Sequence, residues 1–303
     1  MSMKYAVVDL GSNTIRLSVY NTLPGGGFDL LFSEKEMAGL VNEVEDGVLS
    51  QAGIRRACDA LKKFQRLLEY CGVERVQVFA TASLRNIRNT AEAVDTIRRE
   101  TGLSVDVVSG DQEAELGYYG ALRTLDLRSG AMFDIGGGST EIVEVQEGRI
   151  LRAQSLPVGS LNLFTRYVSK IWPKRRELEA IAAAAENALR EAELPREKAD
   201  RVCGVGGTAR AVLKIANAYY ERPAVERRLT PRQLDELTET LCRRDAKARK
   251  LILGACPDRI HTILPGILLM NAVCRALCRQ ELYISRYGVR EGYLCRKVLE
   301  NRI

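Results

Sequence analysis

Two stretches have the residue types to grip a phosphate, and they nearly repeat each other: residues 9–17 read DLGSNTIRL and residues 134–142 read DIGGGSTEI. Each sets an Asp at the end of an apolar run, then a Gly, then small polar residues that include a hydroxyl, Thr14 or Ser139. A loop of Gly11, Ser12, Asn13 and Thr14, or of Gly136, Gly137, Gly138 and Ser139, carries little side-chain bulk. It can therefore turn several backbone N–H groups onto one anion. A lone D-x-G is a common turn. Two aligned copies, each flanked by strand-like alternation, point to a duplicated α/β unit with a phosphate held between its halves. Asp134 and Glu141 bracket the second loop and can both face its mouth. Two carboxylates plus phosphate oxygens suit Mg²⁺, with Mn²⁺ as the alternative; otherwise Glu141 is an ordinary exposed strand residue. Asp9 is the equivalent acid of the first copy and either contacts the metal or orients its own loop.

Other segments add candidates. FATASLRNIRN (79–89) reads as a strand, a hydroxyl-containing loop and then Arg85 and Arg88. Arg85 can fork onto a phosphate, or simply face solvent. In SGDQEAELGYYGAL (109–122), Asp111, Gln112 and Glu113 occupy a first helical turn, where the helix dipole alone favours acids. A third glycine loop, 204–208, ends a strand and opens a helix with Gly206, Gly207 and Thr208.

Composition excludes several chemistries. The chain of 303 residues has one histidine, His261, too few for histidine-rich metal phosphatases, and a Ser-His-Asp hydrolase would have to rest on that one imidazole. Hydrolysis here must run on carboxylates, backbone amides, Arg/Lys and a hard metal. None of the eight cysteines forms a C-x-x-C pair, which reads as reduced thiols in a cytoplasmic protein. The longest apolar run, 260–277, is interrupted by His261, Pro265, Asn271 and Arg275, and no signal-peptide pattern opens the chain, so no membrane association is expected. The net charge of +6 gathers in clusters such as 174–176 and 243–250, either solvated helix faces or a track for a polyanion.

These motifs need elements to carry them. Residues 5–9, 15–19 and 28–36 alternate or run apolar as three strands, with a turn at 24–27. Ser50 caps a helix with Ile54, Ala57, Leu61, Phe64 and Leu68 on one face. Strands at 76–81 and 105–108 and helices at 89–101 and 111–125 follow. From residue 131 the same order returns: three strands, a helix at 177–193, and a strand at 201–205. The pattern β-β-β-α-β-α, used twice, resembles the duplicated actin-like (ribonuclease H-like) ATPase architecture, an α/β fold with an interdomain cleft and a hinge near residue 125.

The motifs together resemble the exopolyphosphatase/guanosine pentaphosphate phosphatase (Ppx/GppA) family. They are DLGSNTIRL, FATASLRNIRN, SGDQEAELGYYG, FDIGGGSTEIV, LPVGSLNL (156–163), GVGGTARAV (204–212) and ISRYGVREGYL (284–294), in family order across essentially the whole chain. The resemblance implies that Glu113 is the general base for an attacking water, with Gln112 standing where the family pattern has a first acid. It implies that Asp134 and Glu141 are metal-associated, that Arg16 or Arg85 offsets phosphate charge, and that Gly206, Gly207 and Thr208 meet the nucleoside side. Expected substrates are inorganic polyphosphate or guanosine pentaphosphate, with the tetraphosphate as a related ligand, no specific nucleic acid, and a homodimer. Longer members carry additional helical domains, so this chain is expected to be a short two-domain member: 1–125, with a terminal helix 290–303 packing back on it, and 126–289. The rival readings are an actin-like ATP-dependent small-molecule kinase and a non-catalytic guanosine tetra- or pentaphosphate regulator.

Overall fold

The computed structural model describes residues 3–23 and 27–299; the turn expected at 24–27 lies, apart from Gly27, outside them, as does the end of the expected terminal helix. The first elements are β1 (Met3–Leu10), β2 (Ile15–Thr22), β3 (Phe28–Glu36), β4 (Val44–Glu45), β5 (Val48–Leu49), α1 (Gln51–Tyr70), β6 (Arg75–Ala80), α2 (Ala82–Arg85), α3 (Thr90–Thr101), β7 (Val105–Val107) and α4 (Gly110–Ala121). The order then restarts with β8 (Gly130–Ile135), β9 (Thr140–Gln146), β10 (Arg149–Leu156), α5 (Ser160–Tyr167), α6 (Arg175–Glu191), β11 (Ala199–Val205) and α7 (Gly206–Tyr219). It ends with β12 (Arg228–Leu229), α8 (Pro231–Cys242), α9 (Ala246–Ala255), α10 (Ile263–Leu277), β13 (Cys278–Ile284) and α11 (Val289–Tyr293).

Among the described residues the strands form two main sheets, ordered β3-β2-β1-β6-β7 and β10-β9-β8-β11-β13-β12. In each sheet an antiparallel meander is extended by parallel strands, so the second sheet repeats the first and adds β12 at its edge. The central strands β1 and β8 read as apolar runs rather than strict alternation because both of their faces are covered.

Chain contacts divide the molecule into two compact units: the described residues of Met1–Glu113 with Tyr293–Ile303, and Ala114–Gly292. The division falls at 113/114, not at 125, because α4 packs its apolar face on the second sheet: Ala114, Tyr118 and Ala121 cluster with Met132, Val143 and Val205. In the first unit, α1 begins where the sequence places it, with the Ser50 hydroxyl accepting from Gly53 N at 3.1 Å. Its Ile54, Ala57, Leu61 and Phe64 are buried on β1 and β2. Tyr293 belongs to this unit, stacked on Phe79 at 4.7 Å and donating to Asp106 at 3.1 Å.

In the second unit the long apolar run has become α10, buried among α5, α6, α7 and α8. Its interruptions are accommodated. Pro265 lies in the first turn, where a backbone N–H has no partner within the helix, and Asn271 donates to the Thr238 hydroxyl at 3.0 Å. No helix among the described residues is long and apolar enough to cross a membrane.

Candidate active site

In the first unit the parallel strands β1, β6 and β7 end on one sheet edge, which brings together the segments 11–14, 81–85 and 108–113 that follow them. Loop 11–14 is held from behind through its carbonyls. Ser12 O accepts from Val41 N and Asn13 O from Gly39 N, both at 2.9 Å, and Leu10 O accepts from the Ser83 hydroxyl. A trans peptide points its N–H opposite to its C=O, so the amides of Gly11, Asn13 and Thr14 face away from those anchors. Gly11 admits no side chain there, since a Cβ would stand 2.7 Å from Thr14 O. The Thr14 hydroxyl donates to Met37 Sδ at 3.4 Å. Arg16 lies directly across the β1–β2 ladder from Asp9.

Arg85, the last residue of α2, does not face solvent. Its Nη1 lies 2.7 Å from Glu113 Oε2 and donates to Val108 O at 3.2 Å. Glu113, only 8% exposed, therefore enters the first turn of α4 with its carboxylate fixed by a guanidinium. The capping work that composition suggested for this turn falls to a neighbour: Ser109 and Gln112 form a reciprocal capping box, with bonds of 3.0 and 3.1 Å. Gln112 is thus a structural cap.

The second unit repeats the device. The strands β8, β11 and β13 are parallel and deliver 136–139, 206–208 and 285–290 to one edge. The carbonyls of Gly136 and Gly137 accept from the Ser160, Leu161 and Asn162 amides at 2.9–3.0 Å, and Gly138 O accepts from the Asn162 side chain at 3.0 Å. All three carbonyls are thus turned onto the N-terminus of α5, and by the same trans-peptide geometry the amides of Gly137, Gly138 and Ser139 point the other way. Gly159 makes the close approach possible, because a Cβ there would be 2.5 Å from Gly137 O.

Asp134 and Glu141 are directly opposed on the antiparallel β8–β9 ladder, so both side chains rise on one face of the sheet. Glu141 is 1% exposed and accepts from the Ser155 hydroxyl at 2.7 Å, so it is no solvated strand residue. Burial pushes the Asp134 carboxyl above the ordinary carboxylate range, while Arg210, Arg290 and Arg259 pull it back. Gly206, at φ +80°, lets this carboxylate lie against the backbone: a Cβ would be 1.9 Å from Asp134 Oδ1. On Gly207 a Cβ would meet Arg259 Nη2 at 2.2 Å. Thr208 is buried, with its methyl toward Gly266 of α10.

The three arginines and the α5 clamp were not foreseen as part of this site. Only Arg290, inside G-x-R-E-G, carried a local signal, and the structure accounts for that motif. Gly288 and Gly292 bring α11 against α4, where a Cβ on Gly120 would be 2.0 Å from Gly288 O and one on Gly292 1.8 Å from Leu116 O. Glu291 accepts from Gly288 N at 2.8 Å. No cluster of three or more His, Cys, Asp and Glu suited to a metal occurs among the described residues. The pair Asp134 and Glu141 is a two-carboxylate oxygen set. That fits a cation which completes its shell with water and phosphate oxygens, as Mg²⁺ does.

The Ppx/GppA phosphatase family matches residues 18–301. The chain belongs to that family. Among curated proteins of the family's kind, Exopolyphosphatase 1 of Mycobacterium tuberculosis is 27% identical over 304 residues, spanning 98% of this chain and 88% of its own. The Mycobacterium leprae protein of the same name is 26% identical, over 98% and 90%. Among solved structures, the Aquifex aeolicus Ppx/GppA family member superposes with a TM-score of 0.81 at 26% identity, with all of both chains covered. An exopolyphosphatase from Cytophaga hutchinsonii, 23% identical over 96% of each chain, has the same fold at a TM-score of 0.81. This Ppx/GppA protein therefore has the duplicated actin-like α/β fold, and it is a phosphatase-type hydrolase by family.

Proposed function

We propose that this chain is an exopolyphosphatase that releases the terminal phosphate of inorganic polyphosphate with water as acceptor and Mg²⁺ as cofactor. The observation that carries the reading is the pair of glycine loops whose carbonyls are tied back so that runs of amides are presented together. Such an array suits an anion that carries several oxygens. The mycobacterial relatives are named for this activity, which adds support.

Each half has its task. Amides 137–139 of the second unit suit the terminal phosphoryl oxygens, and in the first unit the amides of 11, 13 and 14, with Arg16, offer a second anion-binding loop. Asp134 and Glu141 would hold Mg²⁺, which when bound supplies neutralisation of the phosphoryl charge. Glu113, oriented by Arg85, holds the attacking water and takes its proton. The water oxygen bonds to phosphorus as the bridging P–O bond breaks, and the shortened chain leaves on the bridging oxygen. Positioning and charge stabilisation suffice for such a reaction, which needs no covalent nucleophile.

The deciding experiment measures phosphate release with Mg²⁺ from short polyphosphate, long polyphosphate, guanosine pentaphosphate and ATP. Release from polyphosphate is expected, with Glu113→Gln lowering kcat by about 10²–10⁴, the usual worth of a general base. ATP turnover that requires a hydroxyl acceptor would establish the kinase alternative. A near-normal rate in Glu113→Gln would take the base role away from that residue.

A further inference from the structure

A methionine sits against the anion-binding loop of the first unit. The Thr14 hydroxyl donates to Met37 Sδ at 3.4 Å, and Met37 is 55% exposed. Its backbone is fixed on both sides. Glu36 pairs with Ile15 at the end of the β2–β3 ladder, and beyond Met37 the buried Ala38 and Leu40 anchor a strap. From that strap the Gly39 and Val41 amides donate to Asn13 O and Ser12 O. Carried one residue further, the ladder register sets Met37 across from Thr14. Side chains alternate between faces along a strand, so both rise with Arg16, and with Asp9 opposite it, on one face of the sheet.

The other described methionines are placed differently. Met132 and Met270 are fully buried. Met3 is 37% exposed, but it opens β1, whereas the loop follows the far end of that strand, about 23 Å away. Met37 is therefore the described methionine that an oxidant can reach and that also touches the loop.

A thioether is a weak acceptor, so it yields the Thr14 hydroxyl readily to an anion oxygen. Peroxide changes that balance. The sulfur lone pair attacks one peroxide oxygen and the O–O bond breaks. The second oxygen leaves as hydroxide and takes the remaining proton to become water; sulfur is oxidised to the sulfoxide and the peroxide is reduced. The sulfoxide oxygen is polar, with partial negative charge, and accepts from a hydroxyl far better than the thioether did. We propose that Met37 is an oxidation site for hydrogen peroxide, and that its sulfoxide weakens anion binding at loop 11–14 by keeping the Thr14 hydroxyl for itself. This rests on the reading of that loop as part of a polyphosphate hydrolase. Reductases return methionine sulfoxide to methionine, so the change acts as a reversible switch.

The test treats the whole chain with hydrogen peroxide and then with dithiothreitol, which returns sulfenic acids and disulfides to thiols but leaves sulfoxides in place. Parent, Met37→Leu and Met3→Leu proteins are each compared with their own untreated samples, and peptide mass spectrometry reports the sulfoxide at each methionine. One net hydrogen bond to substrate corresponds to roughly threefold to tenfold in affinity, so KM for tripolyphosphate should rise by about that factor in the oxidised parent, with kcat held. Methionine sulfoxide reductases should restore the original KM. Met3→Leu should respond as the parent does, and Met37→Leu should not respond. Three results would each overturn the proposal while leaving the hydrolase reading intact: Met37 unoxidised while Met3 is converted, KM unchanged with Met37 fully converted, or an equal rise in Met37→Leu. Absence of phosphate release from the untreated parent would refute the hydrolase reading, and the switch with it.

Discussion

Gly206 is the position at which one methyl group should separate catalysis from folding. Its φ of +80° disfavours any side chain, and a Cβ there would stand 1.9 Å from Asp134 Oδ1. To regain ordinary contact at 3.4 Å, the carboxylate must recede by about 1.5 Å. A misplacement of about 1 Å in a catalytic array costs on the order of 10²-fold, so Gly206→Ala should lower kcat about 100-fold at saturating Mg²⁺. The backbone strain itself is worth about 1–2 kcal/mol. Gly148 supplies the control, because it has φ +77° and nothing within 4 Å of its Cβ position. Gly148→Ala carries the same strain without the clash, and should lower the melting temperature while keeping kcat. Phosphate release and thermal unfolding are measured on both variants. Activity of Gly206→Ala within threefold of the parent, or an equal loss in Gly148→Ala, would refute the placement of Asp134 at the reacting centre.

Three further outcomes follow from the same geometry. Gly292→Ala puts a Cβ 1.8 Å from Leu116 O, so it should destabilise by about 2–3 kcal/mol, as overpacking does; Gly254→Ala, with open space in α9, should stabilise by up to about 1 kcal/mol, and thermal unfolding reads both. Asn162→Ala removes the donor to Gly138 O and the acceptor for Gly159 N, two bonds worth about 1–3 kcal/mol each if left unsatisfied; kcat/KM should fall about tenfold or more. Burial, aided by Arg259, holds the His261 imidazole below its usual range. Between that lowered value and the unfolded value near 6.5 the unfolded chain binds more protons, so stability falls on acidification through this window. In urea unfolding at several pH values, His261→Phe should flatten that part of the profile; an unchanged slope would assign the acid sensitivity elsewhere.

How much of this was legible depends on whether a signal is local. The twin D-x-G loops, the Ser50 cap and the β-β-β-α-β-α order are short-range patterns, and each occurs where the residues place it. Gln112 was legible too, since S-x-x-Q at 109–112 spells a capping box, although the substitution at an acidic family position drew attention to charge instead. What escaped was convergence. Arg210, Arg259 and Arg290 approach Asp134 from α7, the segment before α10, and α11, and no spacing relates them. The unit boundary escaped for a related reason: periodicity shows that Ala114, Tyr118 and Ala121 share an apolar face of α4, but not which sheet that face covers.

The two loops also differ in the charges they set across their ladders. Aligning DLGSNTIRL with DIGGGSTEI matches Asp9 with Asp134 and Arg16 with Glu141. In both sheets these residues are direct cross-strand partners. Opposite charges in that relation attract, and like charges repel. The first unit therefore balances its acid with Arg16 inside its own ladder. The second sets two carboxylates face to face, with Glu141 fully buried, and positive charge reaches Asp134 from outside the strands. Three arginines around Asp134 supply part of it at long range, and the Ser155 hydroxyl satisfies one oxygen of Glu141. If Asp134 and Glu141 hold Mg²⁺ as proposed, Asp134→Asn and Glu141→Gln should each raise the Mg²⁺ concentration that gives half-maximal phosphate release, and Asp9→Asn should not; an equal shift in all three would refute that division.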